Sequence, residues 1–272
     1  MNTFFSRLMT LGVVTLAGLG VAGPAAANPF QIATDGSGLA GAQLLSSFDL
    51  GGHGFVFQYM DPTSGLPMFQ ENGAFRIVAS DGVSPIGTND LTLTYALWGT
   101  ADPLSGLISL IGGGFDLYSD SSFDFGTSTG IYGADDGTHV ASFLVTGGSG
   151  DPMGTHLVSM SAQLVAGSLL PGYLFTADHR DMSQLASVTL DASFVDNVAT
   201  PDATAVEELV CEQAGLAALG CQGTAYANQI PYYFLVEDSA SVTLNAVPVP
   251  GSLCLGALGL AMLGMHRRRM PG

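Results

Sequence analysis

Across 272 residues the chain carries 23 acidic side chains against six basic ones, all arginine, for a formal net charge of −17. Four of the six, Arg7, Arg267, Arg268 and Arg269, lie in the terminal segments, so the body sets only Arg76 and Arg180 against all 23 acids, a formal charge of −21. A surface of that sign repels phosphate backbones and anionic lipid, which excludes nucleic acid as a partner and leaves divalent cations, basic partners or plain solubility.

The N-terminus reads as an export signal. Arg7 and the free amine precede an uncharged apolar run, Leu8 to Val21, and Ala25-Ala26-Ala27 supplies small residues for a signal peptidase. Residues 1–27 are therefore expected to be removed, leaving Asn28 first. The alternative, an N-terminal membrane helix, has too short an apolar run to be favoured. Residues 28–246 form the body. Aromatic and branched apolar side chains recur throughout it, unlike a disordered acidic chain, and its length suits one β-rich domain. No linker divides it and no internal repeat is evident.

Glycine, Asp, Ser and Pro punctuate short apolar runs, the pattern of many strands with tight turns. Strands are expected at Leu44–Leu50, at Phe55–Tyr59 after a Gly51-Gly52-His53-Gly54 turn, and at Gly73–Ala79. Leu91, Leu93, Tyr95 and Leu97 alternate onto one face of the next strand. Phe115–Tyr118, Val140–Thr146 and His156–Val165 follow, the last two joined by a hairpin loop over 147–152. Val188–Phe194, Tyr232–Val236 and Ser241–Val247 complete the series.

One segment departs from this pattern. Thr204 and Glu207 fit a capping box, and good helix formers run on towards Leu219 with Gly220 as a stop. Cys211 and Cys221 face an oxidising compartment after export, and one disulfide is the expected pairing, with free thiols or a metal pair as alternatives. A straight helix would hold them about 15 Å apart, whereas a disulfide needs Cα atoms within about 7 Å. The helix must therefore turn back, and Gly215 is the expected place.

Candidate chemistry concentrates between residues 114 and 137. Asp116, Asp120 and Asp124 recur every fourth residue, and Asp135 and Asp136 follow a Gly/Ser/Thr-rich loop. Such carboxylates suit Ca²⁺, which takes about six to eight oxygens in flexible geometry, although the order departs from the standard calcium loop. Asp side chains also start turns, the alternative reading. Gly126-Thr127-Ser128-Thr129-Gly130 spells a nucleophile elbow, but that motif works only on a strand-to-helix turn and no helix is expected there. His179 lies among Asp178, Arg180 and Asp181, where loop ion pairing is the simpler reading. Tyr95, Trp98, Tyr132 and Tyr173 could stack on sugar rings if exposed; aromatic residues in strands more often fill cores. No motif in a suitable context points to catalysis, and the chain reads as a non-enzyme without a resident cofactor.

The C-terminus carries a second address. Pro248-Val249-Pro250 leads into an apolar stretch, Gly251 to Met265, closed by Arg267-Arg268-Arg269. The stretch is shorter than the ~20 residues of an ordinary spanning helix, and the arginines favour the cytoplasmic side. A permanent anchor is one reading. The layout also resembles the PEP-CTERM sorting signal of Gram-negative bacteria, with Val249 in place of the usual acidic residue. That resemblance implies transient anchoring in the inner membrane, processing near Pro250 by an exosortase, and release to the cell surface or extracellular matrix.

Asn28-Pro29-Phe30, the run Phe115–Asp120 and the stretch Asp135–Gly147 are similar to flocculation-associated PEP-CTERM proteins. This resemblance implies floc or biofilm formation with exopolysaccharide as partner, and supplies no catalytic residues. The sequence thus predicts an all-β domain, an antiparallel β-sandwich or jelly-roll with one short helical insertion. A signal peptide (1–27) precedes it and a transmembrane sorting helix (247–272) follows. A secreted carbohydrate-active or calcium-binding module is the alternative function.

Overall fold

The computed structural model describes residues 28–81, 87–102, 104–152, 154–216, 221 and 225–246. The expected signal peptide, the helix stop at Gly220 and the sorting tail with Pro248, Val249, Pro250, Arg267, Arg268 and Arg269 lie outside them.

Eight long strands close into a barrel. They are β3 (Phe48–Met60), β4 (Pro67–Ala79), β5 (Asp90–Ala101), β6 (Ile108–Asp120), β7 (Thr138–Asp151), β8 (Leu157–Leu164), β10 (Val188–Val198) and β11 (Tyr233–Ala246). Each runs antiparallel to the next along the chain, and β11 closes the ring on β3 from Tyr233↔Phe57 to Val242↔Phe48. That pairing corrects the sandwich or jelly-roll: one sheet curls until its first and last strands meet, and no long edge is left to protect. A separate small sheet holds β1 (Phe30–Ile32) between β2 (Gln43–Leu45) and β9 (Leu174–Thr176).

Most strands exceed their expected lengths, although β8 is shorter than the expected His156–Val165 and the expected Leu44–Leu50 is divided between β2 and β3. The glycines at 51, 52 and 54 form no turn; β3 runs straight through them. The expected 147–152 loop is the paired end of β7, and the two last expected strands are one, β11. In each case the punctuation residues lie inside a ladder, because a partner strand satisfies their backbone groups.

Alternation sorts the side chains. Leu50, Phe75, Leu93, Tyr95, Phe115, Leu117, Phe194 and Val242 point inwards into one apolar core. Within it Tyr95 stacks on Phe75 (centroids 4.9 Å apart) and Phe115 (5.8 Å), and Phe75 on Phe194 (5.6 Å). Side chains so enclosed contribute roughly 1.5–3 kcal/mol each. The interior is therefore a packed core, with a residual void of about 20 Å³ near Leu50, Leu93 and Leu117. The small sheet adds Phe30, Ile32, Leu45 and Leu174 to that core and acts as a lid over one end. The outer wall over β8, β10 and β11 is rich in Ser, Thr, Asp and Asn, the reverse of the apolar belt of a membrane-spanning barrel.

A second core lies outside the wall. Phe55, Ala74 and Leu235 are covered by Tyr132 from the 121–137 loop and by a helix. That helix is one α turn (Ala203–Ala205) continuing as a π-helix (Val206–Gln213). Its N-cap is Asp202, whose carboxylate accepts from Thr204 N and Ala205 N, so the expected Thr204 capping box is displaced by two residues. The chain reverses at Gly215 (φ 69°), and Cys211 and Cys221 form a disulfide with Cα atoms 5.9 Å apart.

Candidate functional site

A groove of about 730 Å³ lies on the outer wall, crossing β7, β8, β10 and β11. Its walls carry hydroxyls from Thr146, Ser159, Ser161, Ser193, Ser241 and Thr243 around the Asp191 carboxylate. They converge because residues of one parity on neighbouring antiparallel strands share a face: Asp191 pairs with Ser161 and Thr243, and Ser193 with Ser159 and Ser241. Asp191 is fixed in place. Ser161 Oγ donates to one oxygen, and Asn245 Nδ2 donates to the other at 3.0 Å. Beside the groove stands Trp98, 45% exposed. Its indole lies over Gly112, where a Cβ would come within 2.7 Å of the ring. The register on either side, Leu110↔Gly148 and Gly114↔Leu144, places Gly112 next to Thr146 at the groove's edge. An apolar ring face thus adjoins a row of hydroxyls.

A carboxylate cluster forms beneath the 121–137 loop. Carboxylate oxygens of Asp120, Asp124 and Asp136 lie within 4.8 Å of one another. Asp120 is buried and accepts from Ser122 N, while Asp124 Oδ1 has no hydrogen-bond donor. Burial first, then the carboxylates of Asp124 and Asp120, push Asp136 above the usual carboxylate range. The other two residues of the expected calcium set are used elsewhere. Asp116 faces Ser142 and His139 on the wall, and Asp135 accepts from Ile131 N at 2.6 Å as a turn former. Three of five expected ligands therefore converge, in a geometry suited to an oxygen-seeking cation.

A further cluster, invisible to sequence reading, lies inside the barrel. Tyr95 crosses two glycines, Gly73 on β4 and Gly54 on β3; a Cβ on either would strike its ring or hydroxyl. Its hydroxyl ends 2.9 Å from Glu71 Oε1 and 2.9 Å from Asp238 Oδ2. Asp196 joins them, because it pairs directly with Asp238 across β10 and β11. Burial above all raises Glu71 to about 8 and Asp196 to about 6, and lifts Asp238 well above its usual value. Asp238 is only 2% exposed while Glu71 keeps partial solvent contact, so Asp238 is the stronger holder of a proton.

The remaining candidates separate. Ser128 sits in an exposed irregular loop with no helix after it before β7. Arg180 pairs with Asp178 at 2.9 Å on the surface, and the His179 ring meets Gln31. Tyr95, Tyr132 and Tyr173 are core residues, which leaves Trp98 alone of the four with an available face. Comparison with protein-family models, curated proteins and solved structures gives no match.

Proposed function

We propose that this chain is an exported structural module of the cell surface or extracellular matrix that holds neutral exopolysaccharide on its outer wall. The exposed Trp98 face beside the hydroxyl-lined groove carries the reading. Sugar rings present apolar C–H faces to an aromatic ring and hydroxyls to Ser, Thr and Asp, and this wall carries the Trp98 ring on β5, two strands from the groove's near edge on β7. The packed interior supports it as well, since a ligand of any size must be met outside. The two terminal addresses belong to the same proposal. A signal peptidase removes residues 1–27, and the PEP-CTERM-like tail passes through the inner membrane to an exosortase.

Trp98 is the chain's single tryptophan, so its fluorescence reports on the groove's edge. Titration with the producing cells' own exopolysaccharide is expected to change the emission saturably. Trp98→Ala should weaken retention by roughly three- to tenfold, the worth of one stacked ring, and Ser241→Trp should block the groove while leaving the melting temperature within about 2 °C. Equal retention by wild type and both variants refutes the wall as the binding site. Mass spectrometry of the exported protein tests the sorting proposal, which fails if Arg267–Arg269 remain attached.

The convergence of Asp120, Asp124 and Asp136 favours a second reading, in which calcium pins the 121–137 loop to the barrel.

A further inference from the structure

We infer that the folded barrel stores at least one proton in the Glu71–Tyr95–Asp238–Asp196 cluster, so that the domain is tightest in acid and loosens as its surroundings turn alkaline. Tyr95 has one hydroxyl proton and two carboxyl oxygens at 2.9 Å, on Glu71 and Asp238. It can donate to one of them only. The second contact is a hydrogen bond only if that carboxyl carries a proton and donates it to the phenol oxygen. With both ionised, one lone pair would face another across 2.9 Å in a water-poor interior.

Two further observations point the same way. Asp238 Oδ1 is buried with no hydrogen-bond donor, tolerable for a neutral carboxyl and costly for a carboxylate. Asp196 stands directly opposite Asp238 in the ladder, where like charges repel. The groups facing the cluster offer little relief. Glu237, next to Asp238, adds negative charge; among the described residues outside the cluster, His156 beside Asp196 pulls the other way, and within it the Tyr95 hydroxyl does. The two arginines of the described residues are engaged elsewhere, Arg76 with Asp90 and Arg180 with Asp178.

The sign follows from linkage. In the unfolded chain these carboxyls ionise at ordinary values near pH 4; in the folded chain Glu71 ionises at about 8 and Asp196 at about 6. Between those limits the native state binds more protons, so its stability is full below the unfolded values and falls as pH rises through the folded ones. One stored proton lowers the folding constant by about tenfold per pH unit across that window.

Proton uptake on refolding the 28–246 domain in weakly buffered solution at pH 7 tests this directly. At least one proton per molecule is expected, and the doubly neutral variant Glu71→Gln/Asp238→Asn should take up at least one fewer and lose most of the decline in stability between pH 5 and 8. Wild-type uptake below one proton, or a variant with the wild-type uptake and decline, overturns the proposal. Should the variant not fold, the wild-type uptake decides alone.

Discussion

Tyr95 shows how much of this protein is settled by what its neighbours lack. The phenol reaches Asp238 because Gly73 and Gly54 leave a channel along the inner wall, and a methyl at either position meets it at 2.5 Å or closer. Gly73→Ala and Gly54→Ala should each cost roughly 1–3 kcal/mol, the usual penalty for overpacking, read from urea unfolding midpoints. Neither residue has positive φ, so the cost is steric and does not come from backbone strain. In sequence the glycines of β3 resemble a turn, because a glycine that makes room for a distant ring cannot be distinguished locally from one that bends the chain. The aspartates were partly legible. Their spacing marked a cation-suited region, but Asp116 and Asp120 straddle a β-bulge between Leu117 and Tyr118, and Asp135 is spent on its own loop. If calcium binds at Asp120, Asp124 and Asp136, saturating Ca²⁺ should raise the melting temperature by several degrees, and Asp120→Asn should abolish the rise. An unchanged wild-type melt at millimolar calcium rules that reading out.

Among the elements, the hairpins at the end away from the lid share a local code. Asp61 begins the turn from β3 to β4: it accepts from Thr63 N, Ser64 N and Ser64 Oγ, and Gly65 N returns to its carbonyl. Asp102 repeats these contacts with Leu104 N, Ser105 Oγ and Gly106 N in the turn from β5 to β6. Asp151 begins a version one residue longer, in which His156 takes the left-handed position (φ 59°) held by Gly65 and Gly106 in the other two. Asp-Pro turns recur without making an internal repeat, because they fall at unequal spacing along strands whose lengths are fixed by barrel geometry. Asp61→Ala or Asp102→Ala should lower the urea unfolding midpoint, as loss of a turn-starting carboxylate does, with Asp61→Asn retaining most of the wild-type value. The helix was legible as an element and misplaced at its start, since Asp202 offers an ionised acceptor where Thr204 offers only a hydroxyl. Reducing Cys211–Cys221 should destabilise by roughly 2–3 kcal/mol on the chain-entropy account, measurable as a shift in urea midpoint.

For the whole molecule, all-β character was plain from alternation, whereas closure was not. Each strand's pattern fixes which face is buried, and sandwiches and barrels bury the same faces. The deciding contact joins β3 to β11, nearly 190 residues apart, and no local signal carries it. The same closed surface concentrates the acids, two arginines against 23 carboxylates in the body. Screening should therefore stabilise it: moving from about 0.01 M to 0.5 M NaCl should raise the melting temperature by roughly 2–4 °C, the shift that about 1 kcal/mol makes in a domain of this size. A fall in melting temperature would contradict a self-repelling surface.

The closing strand has a mechanical meaning as well. β11 is gripped along its length on both sides, by β10 from Val188↔Ala246 to Val198↔Val236 and by β3 from Val242↔Phe48 to Tyr233↔Phe57. Its hydrogen bonds lie perpendicular to its axis. Tension applied at Ala246 and opposed from the body of the barrel runs along that axis. It loads both ladders in shear, so the bonds must yield together where a peeled strand would lose them one at a time. Strand β11 is in this sense a cable already threaded through the barrel, held so that a pull along it meets both ladders at once.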